Sequence, residues 1–151
     1  MKRIAAIIVL LMTLSQCYPQ KKMVKDTVTA IEFELSGRRG RTSVKITSEF
    51  AISTSRTEKR FIVMTADQWA ALLDAVHEIN LPGMSKLKSP TSRRDVDGAL
   101  HCRLFITTQK SIYESQYFDS GIPMTELKPL YDKIEAIRNA INYDGDIWTG
   151  Q

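Results

Sequence analysis

The stretch VTAIEFELSGRRGRTSVKITSEFAI, residues 28–52, decides the fold class. Its first part alternates, with Ile31, Phe33 and Leu35 on one face and Glu32 and Glu34 on the other. Its last part does the same, with Val44, Ile46, Phe50 and Ile52 directed inward and Lys45, Thr47 and Glu49 outward. A period of two carried by β-branched and aromatic residues predicts strands with one dry face and one wet face. Between them, residues 36–41 (Ser-Gly-Arg-Arg-Gly-Arg) are punctuated by glycine and suit the connection of an antiparallel hairpin.

Downstream, Arg60 to Met64 reads as a third short strand. Thr65 followed three residues later by Gln68 makes a capping box, and Trp69, Leu72, Leu73, Val76 and Ile79 recur at helical spacing until Asn80-Leu81-Pro82-Gly83 stops the helix. Residues 81–98 show no period, and so long an irregular connection is uncommon in a compact domain. Ala99–Thr107 and Ile112–Phe118 then read as a second hairpin turning at Gln109-Lys110. A last helix carries Leu127, Leu130, Ile134, Ile137 and Ile141, with Pro129 tolerable only in its first turn. The order β-β-β-α-β-β-α implies an α+β domain. We expect a two-layer sandwich, with an antiparallel sheet of about five strands and both helices on one face.

Upstream of residue 28 the chain has a different character. Lys2 and Arg3 precede an apolar run from Ile4 to Leu14, too short to span a bilayer but fitting the h-region of an export signal. The run ends Leu14-Ser15-Gln16-Cys17, which resembles a bacterial lipobox, although Gln16 stands where that pattern prefers Gly, Ala or Ser. The resemblance implies cleavage before Cys17 and lipidation of its thiol. Ordinary signal cleavage nearby, giving a soluble periplasmic or secreted small-ligand binder or hydrolase that uses the loop end around Arg93, Arg94, Asp95, Asp97 and Asp119, is the alternative. The expected organisation is thus a signal peptide over 1–16, a lipidated Cys and tether over 17–26, one domain over 27–142 and a loosely packed tail over 143–151.

Charge narrows the partners. The 151 residues carry 21 Lys+Arg against 17 Asp+Glu, a formal +4. Removing 1–16 takes Lys2 and Arg3 and no acid, which leaves 19 basic groups against 17 acidic, or +2. Export together with so small a charge argues against nucleic acid as a partner. The membrane, through the lipid, and an envelope protein are the partners expected. What positive charge remains is concentrated in loops, chiefly 38–41 and 86–94.

The candidate binding residues follow from topology. If antiparallel pairing brings the loops 53–59, 81–98 and 119–123 to one end, then Arg93, Arg94, Asp95, Asp97 and Asp119 gather there, near Arg56, Lys86 and Lys88. Arginine forks at such a place would hold a carboxylate or phosphate. The competing reading pairs the acids with the arginines to order the long loop.

Trp69 to Leu130 also resembles small bacterial envelope lipoproteins of the Bacteroidota type. The shared pieces are Trp69, Ser89-Pro90-Thr91, Asp97-Gly98, Tyr113-Glu114-Ser115 and residues 118–123 (Phe-Asp-Ser-Gly-Ile-Pro). No activity is assigned to that group, so the resemblance implies a fold and no catalytic residues. Catalytic templates are absent from the sequence. His77 and His101 are the only histidines and lie in no metal-ligand spacing, and neither a G-x-S-x-G nor a phosphate-binding glycine loop occurs. Cys17 and Cys102 are the only cysteines. Lipidation of Cys17 would leave Cys102 alone, and a Cys17–Cys102 disulfide remains open otherwise. Cys102 shares a face with Leu100, Leu104 and Ile106, which marks it as a small buried hydrophobe. No metal, cofactor or catalytic residue is assigned.

Overall fold

The computed structural model describes residues 26–38, 40–96 and 98–147. Among the described residues eight strands form one antiparallel sheet. They are β1 (Val28–Gly37), β2 (Gly40–Ile46), β3 (Phe50–Thr54), β4 (Lys59–Val63), β5 (His101–Thr108), β6 (Ile112–Glu114), β7 (Phe118–Asp119) and β8 (Asp146–Ile147). Two α-helices accompany them among the described residues, α1 (Ala66–His77) and α2 (Lys128–Asp144). The spatial order is β6-β5-β1-β2-β3-β4-β8, with β7 pairing the other end of β5. The α+β class holds. The strand number and the element order differ from expectation, and three local causes account for this.

The first cause is Thr47. The alternation over 44–52 predicts one strand, yet the chain turns back after Ile46. The Thr47 hydroxyl accepts from the Phe50 N–H at 3.1 Å, and the Thr47 N–H donates to the Phe50 carbonyl at 2.8 Å. This side-chain turn resets the parity. Ala51 becomes fully buried and Phe50 faces out at 37% exposure, the reverse of the predicted assignment. The second cause is a bulge at Ser115. Ile112–Glu114 pair Phe105–Thr107 in one register, and Phe118–Asp119 pair Cys102 and His101 one residue out of step. The third is the tail, where Asp146 and Ile147 pair Phe61 and Arg60 of β4.

The β1–β2 hairpin has Gly37 opposite Gly40, and Gly40 takes a φ of 129° that a side chain would disfavour. Ile31, Phe33, Val44, Ile46, Cys102, Leu104 and Ile106 are all fully buried on one face. Leu100, expected on that face, lies outside β5 and is 46% exposed. Leu72, Val76 and Ile79, with Leu127, Leu130, Ile134 and Ile141, join the same cluster, so sheet and helices share one core. Burial of each such side chain contributes roughly 1.5–3 kcal/mol. The predicted capping box is present, with the Gln68 N–H donating to Thr65 Oγ1 and the Thr65 N–H to Gln68 Oε1. Pro129 sits in the first turn of α2. No described helix is long and apolar enough to cross a membrane.

Candidate functional site

The irregular segment 81–96 is ordered by three pins. Two 3₁₀ turns, Leu81–Lys86 and Arg93–Val96, interrupt it, and Leu81 and Met84 plug into the core. The Gln116 side-chain amide donates to the Ser85 carbonyl at 2.7 Å. The third pin is Asp119, which has no exposed surface. Its Oδ2 accepts from the Thr91 hydroxyl at 2.5 Å and the Arg93 N–H at 2.7 Å. Its Oδ1 accepts from the Arg94 N–H at 3.0 Å and from Arg94 Nη1 at 3.1 Å. Burial by itself would raise this carboxyl's pKa. The four donors overcome that and hold it well below the usual carboxylate range.

These contacts commit Asp119 and Arg94 to each other, as in the reading that pairs acid with arginine. Arg94 Nη1 also donates to the Thr91 carbonyl and to Ser89 Oγ, so the Ser89-Pro90-Thr91 motif folds around it. Arg93 contributes its backbone to Asp119 while the residue as a whole is exposed. Asp95 is exposed, 3.8 Å from Arg94 Nε. Lys86 and Lys88 are exposed as well. Asp97 and the lipidation candidate Cys17 lie outside the described residues.

Of the loops expected to meet, the 53–59 turn and Gly98 come together at a groove that Arg93, Arg94, Asp95 and Asp119 do not line. This groove, of about 930 Å³, opens where the β1–β2 hairpin, the β3–β4 turn, the segment 98–101 and α2 meet. Arg38, Arg41, Arg56, His101 and Arg138 line it with Thr42 and Ser55, and no Asp or Glu does so among the described residues. A second lobe of about 350 Å³ continues from it along α2, lined by Ser53, Glu58, Arg60 and Asn142. Thr42, Ser55 and Arg138 belong to both lobes.

Leu35 and Thr42 are opposite each other on the helix-covered face, and Ser36, Arg41 and His101, which alternate with them, also border the groove. Of these, Arg41 is ion-paired with Glu34, and His101 stands edge-on to Tyr117. Arg138 lies over the groove from α2, and its Nε and Nη2 both donate to Glu135 Oε2, at 3.1 and 2.5 Å. Arg60 donates through Nε to Glu58 and through Nη1 to the Asn142 carbonyl near the end of α2, where a cation is favoured.

Of the candidates, the structure brings Arg56 to the groove. Arg138 was absent from the sequence reading because its place depends on how α2 lies across the sheet. Arg38 was visible only as part of a basic run. Cys102 is fully buried, and burial pushes its thiol up to about 11. Its charged neighbours are Glu135, Arg138 and Asp119, and His77 is exposed on α1. Among the described residues no three His, Cys, Asp or Glu side chains are grouped to hold a metal ion. No family model, no curated protein and no solved structure matches the chain.

Proposed function

We propose that this chain is a lipid-anchored cell-envelope protein of the small Bacteroidota-like type, held by Cys17 and facing the periplasm or the cell surface. Its domain is a non-enzymatic binding module that works through the basic groove. In this reading both helices form one layer over the dry face of the sheet, and the groove is the gap left where that layer ends. The supporting observation is the groove's position. The tether would join at residue 26, at the start of β1, whereas the groove is lined by Leu35, Ser36 and Gly37 at the end of the same strand. Eight or nine residues at about 3.3 Å each separate the two by roughly 25–30 Å. An anchored domain would therefore present the groove away from its own membrane.

Metabolic labelling with palmitate tests the anchor. Label in the wild type that is lost in Cys17→Ser is expected, and an unlabelled protein released from membranes by salt would sink the lipoprotein reading. A photo-crosslinker at Thr57 in the groove, against one at Lys128 on α2, tests the binding surface in cells. A reproducible adduct from position 57 alone is expected. Equal adducts from both positions would remove the groove from the proposal.

A further inference from the structure

The geometry points to a ligand bearing two or more oxyanion groups, phosphate or carboxylate, spaced along it and bound with one group at Arg138 and another at Arg56. This deepens the preceding reading of the groove as the binding surface and rests on it.

Arg138 is where the two lobes join. Its guanidinium is tied to Glu135 through Nε and Nη2, so Nη1 is the nitrogen left for a ligand. A fork already held in place loses little freedom on binding an oxyanion. Arg138 is also 28% exposed at the side chain, enough to be reached and sheltered enough to matter. From this junction one lobe leads to Arg56 and Arg38 at the loop tips, and the other to Arg60. Arg60 is already matched by Glu58, whereas the outer lobe adds Arg56 to Arg138 with no acid among its described lining. A single small anion would use the junction alone. An anion with spaced charges would use the junction and the loop tips together.

The lining also bears on other ligands. Among the described residues no Phe, Tyr or Trp lines either lobe, so these residues offer bases no aromatic platform of the kind single-stranded nucleic acid uses. Thr42 and Ser53 instead place hydroxyls along the floor, suited to the polar backbone of a charged polymer. A headgroup of the anchoring bilayer carries the right charge, yet it lies at the opposite end of β1 from the groove. The ligand is therefore a soluble or polymeric polyanion rather than that bilayer.

The test is titration calorimetry on the mature full-length protein in neutral detergent micelles, with inorganic phosphate and tripolyphosphate as probes. Tripolyphosphate is expected to bind at least ten-fold more tightly than phosphate. Arg138→Ala should weaken both at least ten-fold, and Arg56→Ala should weaken tripolyphosphate several-fold while sparing phosphate. Lys45→Ala, an exposed cation on the opposite face, should change neither. Equal binding of the two probes, or equal losses in Arg138→Ala and Lys45→Ala, would overturn the proposal. Circular dichroism of each variant separates lost binding from lost folding, and Arg138→Lys, which keeps charge without the fork, should restore only part of the affinity. Vesicles of phosphatidylglycerol and phosphatidylcholine form the second arm. Arg138-dependent vesicle binding that tripolyphosphate displaces would assign the site to headgroups and refute the soluble source. Cys17→Ser bears on the anchor alone and leaves these affinities untouched, so the two readings fail separately.

Discussion

Ser115→Ala is expected to destabilise the domain by about 2–4 kcal/mol, a large effect for the removal of one oxygen. Ser115 is 1% exposed. In a regular pairing its carbonyl would accept from the Leu104 N–H. Here the bulge turns that carbonyl to Arg103 Nε, at 3.2 Å, and the Ser115 hydroxyl accepts from the Leu104 N–H at 3.0 Å instead. The same hydroxyl donates to the Gln116 carbonyl at 2.8 Å. Alanine therefore orphans one buried donor, costing roughly 1–3 kcal/mol when left unpaired, and one part-buried acceptor at the low end of that range, about 1 kcal/mol. Urea unfolding read by circular dichroism should show a lower midpoint at constant slope, and the melting temperature should fall by roughly 8–16 °C. Thr29→Ala is the control, because its exposed hydroxyl makes one weak bond of 3.3 Å to the Thr107 carbonyl. That variant should stay within about 0.5 kcal/mol of the wild type. A Ser115→Ala effect as small as the control's would refute the claim that a side-chain oxygen replaces the ladder carbonyl in β5.

Other outcomes follow from single features. Asp119→Asn should loosen the segment 89–96, seen as faster amide exchange at Arg93 and Arg94, whose N–H groups it holds. The folded carboxyl lies below its unfolded value of about 3.8, so its contribution is complete above that pH and is lost as pH falls further. The stability gap between wild type and Asp119→Asn should thus be flat from pH 5 to 8 and narrow below pH 4. Cys102 should resist Ellman's reagent in the folded protein. In denaturant the mature chain should release one thiol if the Cys17 sulfur is lipidated, two if it is free and none if the two cysteines are joined. Gly121→Ala should cost roughly 1–2 kcal/mol by thermal melting, because Gly121 holds a φ of 83° while its N–H donates to the Tyr131 hydroxyl.

Periodicity made most of the elements legible. The alternating runs gave β1, β2 and β5, and the helical stripes with the Thr65–Gln68 box and Pro129 gave both helices. The failures share one origin. A threonine hydroxyl that replaces a backbone acceptor leaves no mark on a hydrophobicity pattern, so residues 44–52 read as one strand when Thr47 divides them. Ser115 hides the second break in the same way, since a bulge shifts the register of Phe118 and Asp119 without changing their character. β8 has two residues and no period to detect. The candidate site was half legible for a related reason. That the 53–59 turn lies near the start of β5 follows from antiparallel pairing and was visible, whereas the buried partner of Arg94 depends on a register shift of one residue. Asp119 reaches Arg94 only because the Ser115 bulge advances it, and Arg138 reaches the groove only through the lie of α2.

Sidedness, more than total charge, sets what the groove can do. With 19 basic and 17 acidic groups after signal removal, the domain's overall field is too weak to draw polyanions to any surface at large. Four of its arginines are also answered in place: Arg41 by Glu34, Arg103 by Glu114, Arg94 by Asp119 and Arg60 by Glu58. Arg138 is answered too, but through Nε and Nη2, by a carboxylate on its own helix, so the pair fixes the guanidinium and leaves Nη1 available at the groove. Binding driven by general attraction would weaken equally whichever lysine or arginine was removed. Binding driven by this arrangement depends on Arg138 far more than on an exposed cation such as Lys45.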